Sequence, residues 1–245
     1  MIRRRKVSPV EVVDAFLRQI ESCHGELNAI VTLAPDALDR ALEAERHLQS
    51  GGVCGPLHGV PVTIKDTIET AGLRTTAGSK VLKDNIPATD APAVAALKAA
   101  GAIILGKSNV PEMAMTYESD NPLFGRTLNP HDQKRTPGGS SGGEAAAIAS
   151  GMSPLGLGSD LSGSIRIPAN FCGIFGLKPT PGVIANSGHI PTSESSLSTG
   201  ATFGPMARSA RDLRLMLDCI GHPSGFDSEM ISTDPHNWKV CWFTS

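Results

Sequence analysis

The sequence predicts an α/β fold with a covered, at least partly parallel sheet. A strand pattern, a helix pattern and a second strand pattern follow one another between Leu57 and Leu105, as in a β-α-β unit. The chain has 245 residues, of which 40% are hydrophobic and only 19% are charged, and this composition is typical of a folded domain rather than a disordered chain. No internal repeat or linker is visible, so a single domain over residues 1–245 is expected.

The helices are predicted from their caps and from the spacing of apolar residues. Ser8-Pro9-Val10-Glu11 is a capping box with proline at the first helical position, and apolar residues follow at helical spacing as far as Ile20. The other predicted helices cover residues 35–48, 90–100, 143–150 and 209–220.

The strands are predicted from short apolar runs. Residues 57–65 alternate Val60, Val62 and Ile64 and end in Lys65, which indicates a strand with a lysine at its end. Further strands are expected over residues 102–105, 155–158 and 239–243, and a turn or helix is expected from Ile165 onward.

Composition argues against several classes of function. The formal net charge is −2 and aromatic residues make up 4%, so neither a basic nucleic-acid footprint nor a set of base-stacking platforms is expected. No apolar run approaches the ~20 residues that a membrane span needs. The five cysteines are scattered and never form CxxC, which argues against a disulfide framework or zinc knuckle and favours a reducing, cytoplasmic location.

Two glycine- and serine-rich segments are candidates for chemistry. Residues 138–143 formally match G-x-S-x-G, but a polar segment precedes them where a nucleophile elbow needs a hydrophobic strand, so a flexible loop stays an alternative. In residues 158–166, small residues lead into a helix-like segment, and successive backbone N–H groups there could converge on an anion or oxyanion. Neither a dinucleotide fingerprint nor a P-loop is present in the second segment.

Lys65 is the third candidate. Its neighbours in the predicted strand are nearly uncharged, and burial lowers the pKa of a lysine and can make its neutral amine available as a base. The alternative is a lysine that reaches from the strand end to water. No histidine is well placed by the sequence to act as the base, and His131 and His189 are interpreted as loop residues, so a Ser–Lys scheme fits better than a Ser–His–Asp triad.

These three segments together resemble the amidase signature enzymes. The stretch from Arg135 to Thr180, which reads RTPGGSSGGEAAAIASGMSPLGLGSDLSGSIRIPANFCGIFGLKPT, resembles the diagnostic block of that family nearly end to end. Lys65 within GVPVTIKD resembles its lysine segment, and residues 106–130 resemble the segment that precedes the serine block. Three separated motifs in the family's order make the resemblance specific, and it extends over essentially the whole chain.

The resemblance implies a Ser-cis-Ser-Lys triad. Ser164 would be the acylated nucleophile, Ser140 the bridging serine beside a cis peptide bond, and Lys65 the base. Ala114 is expected near the substrate, and Asp160 and Arg166 are expected to pair and hold their loop. The oxyanion is expected to bind the backbone N–H groups of Leu161, Ser162, Gly163 and Ser164.

The resemblance also implies an activity and a larger fold. The expected reaction is hydrolysis of a small-molecule amide to a carboxylic acid and ammonia or an amine, with no cofactor, no metal and no directly bound nucleic acid. The alternatives are a catalytically inactive fragment or pseudoenzyme, and a transamidase subunit that acts on misacylated tRNA. A homodimer is one option for the assembly. The family's mixed sheet is covered by helices, and its members run to roughly twice this length, so this chain is expected to be an N-terminal part with an incomplete sheet.

One residue departs from the family pattern. Ser162 stands where the family usually has glycine. If the backbone there needs a positive φ, a serine is strained by roughly 1 kcal/mol or more and the activity is expected to fall.

Overall fold

A mixed six-stranded sheet forms the centre of the fold in a computed structural model that describes residues 1–192 and 200–221. The helices are α1 (Pro9–Leu27), α2 (Ala37–Gln49), α3 (Pro92–Ala99), α4 (Gly142–Ala149), α5 (Arg166–Phe171) and α6 (Ala210–Ile220), with 3-10 turns at Ile2–Arg4, Lys80–Leu82 and Glu112–Ala114. The strands are β1 (Ile30–Leu33), β2 (Pro61–Lys65), β3 (Ile103–Ser108), β4 (Leu155–Asp160), β5 (Phe175–Gly176) and β6 (Thr202–Ala207).

The sheet has the order β1-β3-β2-β4-β6-β5. Strand β2 runs parallel to β3 and to β4, whereas β1, β6 and β5 join antiparallel to their neighbours. The predicted β-α-β unit is present as β2-α3-β3, and the predicted mixed α/β class is confirmed. Because β2 and β4 are parallel neighbours, their carboxyl ends, Lys65 and Asp160, lie at the same edge of the sheet.

Local signals predicted the helix boundaries well. The backbone N–H of Ser8 donates to the Glu11 carboxylate at 2.8 Å, and the backbone N–H of Glu11 donates to Ser8 Oγ at 3.0 Å, so the capping box is formed. At the start of α6, Ser209 Oγ accepts the backbone N–H of Asp212 at 3.2 Å. The apolar face of α6 is buried, as its spacing predicted; it consists of Leu213, Met216, Leu217 and Ile220.

The strands differ more from the prediction. Strand β2 begins only at Pro61, because residues 57–60 form a turn in which the Val60 N–H donates to the Leu57 carbonyl at 2.9 Å. The sequence did not predict β1, β5 or β6; β6 contains Gly204 and Pro205, which are both unfavourable in strands. The predicted strand over residues 239–243 lies outside the described residues.

Both β2 and β4 are buried along their whole length, because helices and loops cover both faces of the sheet. Among the helices of the described residues, none combines the length and the apolar character needed to cross a membrane. The burial of β2 includes a charged residue type, because its last residue, Lys65, is 0% exposed.

Candidate active site

A cavity of about 610 Å³ lies beside Asp160, at the carboxyl end of β4. Its wall includes Ala114, Ser140, Leu161 and Ser164, which the sequence predicted as site residues. Two loops and a 3-10 turn that are distant in the sequence therefore meet around one space. A cavity of this size accommodates a small organic molecule.

Lys65 lies behind the cavity wall and is fully buried. Its Nζ atom is 2.7 Å from Oγ of Ser140 and 2.8 Å from Oγ of Ser159, and it also donates to the Ser159 carbonyl at 3.3 Å. Burial lowers the pKa of Lys65 from 10.5 to about 7, although the charges of Asp160 and Glu144 oppose this shift. A substantial fraction of the amine is therefore neutral near pH 7, as a base requires.

Ser140 precedes α4 on the glycine-rich loop, and its peptide bond to Gly139 is cis, as the resemblance implied. The loop lies so close to another segment that a Cβ atom on Gly139 would be 2.7 Å from the carbonyl carbon of Tyr117. The N–H of Ser141 donates to the carbonyl of Ser164 at 3.0 Å and joins the loop to the one that carries Ser164. This backbone bond holds the two serine loops against each other.

The loop that carries Ser164 is arranged around the carboxylate of Asp160. The two oxygens of Asp160 accept the backbone N–H groups of Gly163 and Ile165 at 2.8 and 3.0 Å, and they pair with the Arg166 guanidinium at 2.9 and 3.0 Å. Burial alone would raise the pKa of Asp160. The Arg166 guanidinium and the backbone N–H donors outweigh burial and lower this pKa to about 2. Asp160 and Arg166 thus hold the loop, as the sequence predicted.

The expected set of oxyanion donors needs a correction at Gly163. Its N–H is donated to Asp160, so it is not directed at an oxyanion. In the part of the chain that the structure describes, the N–H groups of Leu161, Ser162 and Ser164 have no acceptor. Leu161 and Ser164 line the cavity, whereas Ser162 and Gly163 do not.

The strain expected at Ser162 is also absent. Among the described residues outside glycine, a positive φ occurs at five positions, and Ser162 is not one of them. The left-handed position of this loop is Gly163, with φ of 125°. Ser162 instead bonds to the hydroxyl group of Tyr117 through its Oγ at 2.8 Å and its carbonyl at 3.2 Å.

Ala114 also lines the cavity. It ends the 3-10 turn after β3, where both Met113 and Ala114 have left-handed backbones with φ of 52° and 58°. The N–H of Met113 donates to the carbonyl of Ala77 at 2.8 Å and fixes this turn. Met113, Ala114 and Met115 of this turn all line the cavity.

A second set of buried charged groups lies beneath the site. The carboxylate of Glu144 on α4 accepts the hydroxyl groups of Thr63 on β2 and Ser108 on β3. Burial raises the pKa of Glu144 to about 7, and burial lowers the pKa of Lys107 to about 8. Among the described residues, no cluster of three His, Cys, Asp or Glu side chains is placed to hold a metal ion.

The geometry just described agrees with a family match. A family model described as Amidase matches residues 11–238. The chain belongs to the Amidase family.

Relatives of this amidase chain are both enzymes and components of larger enzymes. It is 44% identical over 234 residues to a glutamyl-tRNA(Gln) amidotransferase subunit of Thermus thermophilus, covering 96% of this chain and 47% of the relative. A peptide amidase from Stenotrophomonas maltophilia superposes with a TM-score of 0.85 at 35% identity, over 94% of this chain and 47% of that one. Fatty acid amide hydrolase superposes with a TM-score of 0.86 at 31% identity, over 100% and 42%. The chain thus spans about half the length of the curated relatives it matches.

The candidate site also contains two residues that sequence reasoning did not assign to it, Ser159 and His189. The Oγ atom of Ser159 lies 2.9 Å from Nε2 of His189, and both residues line the cavity. His189 lies in a loop, outside the named helices and strands, as the sequence indicated, but its side chain also lines the cavity. Thirty positions separate the two residues, and no local pattern in the sequence indicates that they meet.

Proposed function

We propose that this amidase chain cleaves a carboxamide C–N bond through a serine acyl-enzyme. Lys65 is the base, Ser140 relays the proton and Ser164 is the nucleophile. The observation that carries the proposal is the 2.7 Å contact between Lys65 Nζ and Ser140 Oγ in a site where the lysine is fully buried. A buried amine with a pKa of about 7 is matched to proton transfer near neutral pH.

Each proton and bond in the proposed reaction has a defined place. Neutral Lys65 accepts the proton of Ser140, Ser140 accepts that of Ser164, and Ser164 Oγ bonds to the carbonyl carbon of the amide. The relay then runs in reverse and protonates the leaving nitrogen as the C–N bond breaks, which leaves an ester on Ser164. Water attacks this ester by the same relay and releases the carboxylic acid.

The negative charge on the carbonyl oxygen needs donors near Ser164. In the proposed mechanism these are backbone N–H groups from the set Leu161, Ser162 and Ser164, which have no other acceptor in the described residues. Loss of one such donor costs about 3 kcal/mol of barrier. The bonds from Asp160 to the neighbouring amides and to Arg166 fix this loop before substrate arrives.

Among the uses of this chemistry, we favour amide-nitrogen transfer as part of an amidotransferase. The sequence alone placed small-molecule hydrolysis first. The curated relatives reverse that order, since the match at 44% identity is an amidotransferase subunit, whereas the peptide amidase and fatty acid amide hydrolase structures are 35% and 31% identical. In this proposal, companion subunits and a misacylated tRNA are the partners.

The second candidate is hydrolysis of a free small-molecule amide. The cavity of about 610 Å³ favours it, because the cavity is large enough for such a substrate and contains Ser140 and Ser164 in its wall. A third alternative is an inactive member of the family. One argument for it was the strain expected at Ser162, and this argument fails because the backbone at Ser162 is not left-handed.

Release of ammonia from primary aliphatic and aryl amides tests the shared chemistry. The wild-type chain, Ser164→Ala and the control Ser22→Ala, on the exposed face of α1, are compared. Activity that persists in Ser164→Ala would contradict the nucleophile assignment, and a wild-type chain that neither releases ammonia nor reacts with a fluorophosphonate at Ser164 would contradict the proposed function.

The same assay separates the two candidate uses. A rate that rises only when Glu-tRNA(Gln) and the companion subunits of a relative are added supports amidotransfer. A full rate on free amides without these additions supports small-molecule hydrolysis.

A further inference from the structure

The hydroxyl group of Ser159 connects the buried lysine to an imidazole. Its Oγ atom lies 2.8 Å from Nζ of Lys65 and 2.9 Å from Nε2 of His189. Ser159 is 6% exposed; its hydrogen bond to Lys65 is buried, and its hydrogen bond to His189 is partly buried at the cavity wall. Neither bond belongs to the proposed relay through Ser140, so the contacts need a separate explanation.

The backbone around His189 is fixed to the segment that follows β2. The N–H of Ile190 donates to the carbonyl of Thr67 at 2.7 Å, two residues after Lys65. The imidazole ring lies against the ring of Phe203 on β6, with 5.8 Å between the ring centroids. The imidazole is thus positioned relative to the same strand that carries the lysine.

The protonation state of His189 follows from its second partner. Its Nδ1 atom lies 3.3 Å from the carbonyl oxygen of Pro191, which can only accept, so Nδ1 carries the hydrogen. Burial, together with the nearby charge of Lys65, lowers the pKa of His189 to about 4, and the ring is neutral at pH 7. Its Nε2 atom is therefore an acceptor, and Ser159 donates its hydroxyl hydrogen to it.

This assignment decides where the lone pair of Lys65 points. Because the Ser159 hydroxyl hydrogen is engaged by His189, Ser159 Oγ accepts from Lys65, and the Ser159 carbonyl accepts a second hydrogen at 3.3 Å. A neutral amine has two N–H groups and one lone pair. With both N–H groups donated to Ser159, the lone pair is left for the hydroxyl group of Ser140 at 2.7 Å.

We propose that His189 is a positioning residue that, by holding the hydroxyl hydrogen of Ser159, directs the lone pair of Lys65 toward Ser140. The proposal rests on the proposed function, since it explains how the base of that relay is oriented. Without the imidazole, the Ser159 hydroxyl can turn and donate to the lone pair of Lys65. Ser159 would then compete with Ser140 for the base.

Two substitutions of His189 separate this role from simple packing. His189→Phe removes the acceptor and keeps an aromatic ring against Phe203, whereas His189→Gln keeps an acceptor. The control is His131→Phe, which changes a histidine outside the cavity that bonds to the carbonyl of Cys172. The measurement is the second-order rate constant for fluorophosphonate labelling of Ser164 between about pH 5 and pH 9, a range that spans the change of charge of the relay base.

On the alkaline plateau, we expect His189→Phe to label about tenfold more slowly than wild type, and His189→Gln and the control to stay within about threefold. The midpoint of the acid limb should move to lower pH in His189→Phe, because a hydroxyl donated to the lone pair stabilises neutral Lys65. The carboxyl groups of Asp160 on β4, which stays charged, and of Glu144 on α4, which has a pKa of about 7 and titrates in the same range, also act on Lys65, and all variants retain both groups.

Two results would overturn the proposal. One is labelling of His189→Phe at the wild-type rate with the wild-type midpoint. The other is a midpoint that moves to higher pH in both His189 variants, since water entering an opened site would return the pKa of Lys65 toward its ordinary value.

A double substitution tests whether His189 acts through Ser159. Added to Ser159→Ala, His189→Phe should slow labelling by less than about twofold, because the hydroxyl that it controls is already gone. If the labelling rate of the double variant fell by the product of the two single-variant factors, the proposal would be contradicted.

Histidine 15N spectra of the wild-type chain test the hydrogen bond without reference to activity. The expected state at pH 7 is a protonated Nδ1 and a bare Nε2 whose signal shifts in Ser159→Ala; a protonated Nε2 overturns the proposal even if Ser164 is labelled normally. If the wild-type chain shows the expected 15N spectrum but Ser164 is not labelled by the fluorophosphonate, the proposed function is contradicted and the role of the His189–Ser159 hydrogen bond is not.

Discussion

The carboxylate of Asp160 accepts the backbone N–H of Gly163 at 2.8 Å, and this bond engages one of the amides that the sequence placed at an oxyanion. The same carboxylate accepts the N–H of Ile165 and pairs with Arg166, so one side chain at the end of β4 shapes the whole loop before Ser164. This one buried carboxylate accepts three backbone N–H groups, including that of Arg166 at 3.2 Å, and two guanidinium N–H groups, which is a strong local constraint.

Asp160→Asn should therefore lower both activity and stability. An amide cannot accept from all of these donors, so buried N–H groups are left unsatisfied, at about 1–3 kcal/mol each. We expect a loss of 10²-fold or more in the rate of ammonia release (about 3 kcal/mol of barrier) and a lower melting temperature. The matched control is Asp218→Asn on α6, which breaks an exposed ion pair with Arg214. Equal effects of the two substitutions would contradict the role of Asp160.

Position 163, rather than position 162, is expected to be sensitive to substitution. Gly163 has φ of 125°, and a Cβ atom there would lie 2.7 Å from Cδ1 of Ile167, so Gly163→Ala should cost roughly 1 kcal/mol or more and displace the loop. Ser162→Gly relieves no strain and should leave the rate of ammonia release within about threefold of wild type. A large gain of activity in Ser162→Gly would show that serine at this position does impair the site.

Lys65→Met should abolish the proposed relay while filling the same space with an apolar chain. The loss of a general base typically lowers the rate 10²–10⁴-fold, and fluorophosphonate labelling of Ser164 is the direct measure. Folding should be retained, because Lys65 is fully buried and the substitution removes a desolvated cation. Lys80→Met, at an exposed position, is the control. Undiminished labelling in Lys65→Met would exclude the lysine as the base.

The rate of the proposed reaction should depend on pH through Lys65. The base must be neutral, and burial lowers the pKa of Lys65 to about 7, so kcat/KM should rise about tenfold per pH unit below that value and level off above it. An ordinary lysine with a pKa near 10.5 would still be limiting at pH 9. Asp160, with a pKa of about 2, and His189, with a pKa of about 4, keep one charge state over the pH range in which the rate rises, whereas Glu144, with a pKa of about 7, changes charge within that range. A rate still rising steeply at pH 9 would contradict this account.

Glu144→Gln should change how stability depends on pH. Burial raises the pKa of Glu144 from 4.5 to about 7, so between these values the folded state retains a proton that the unfolded state has released. The free energy of unfolding of wild type therefore falls as pH rises through this window, by a total on the order of 3 kcal/mol. Glutamine does not titrate, so the melting temperature of the variant relative to wild type should increase from pH 5 to pH 8. Glu26→Gln on the exposed face of α1 should show no such trend.

The sequence by itself determined the elements that depend on neighbouring residues. Capping hydrogen bonds span three residues and amphipathic spacing spans a few turns, which is why the starts of α1 and α6 and the β2-α3-β3 unit were predicted. The motifs around Lys65, Ser140 and Ser164 also identified the family. The short strands β1 and β5 carry too few residues for a periodic signal, and they form only because a neighbouring strand offers hydrogen bonds.

Only the tertiary structure decided which groups in the site are hydrogen-bonded to each other and which are buried. Whether the N–H of Gly163 faces an oxyanion or Asp160 depends on the path of one loop, and His189 reaches Ser159 across 30 positions through a segment bonded to Thr67. The depressed pKa of Lys65 likewise requires burial by parts of the chain that no local pattern specifies. Hydrogen bonding and desolvation act through distances in space, and distances in the sequence do not determine them.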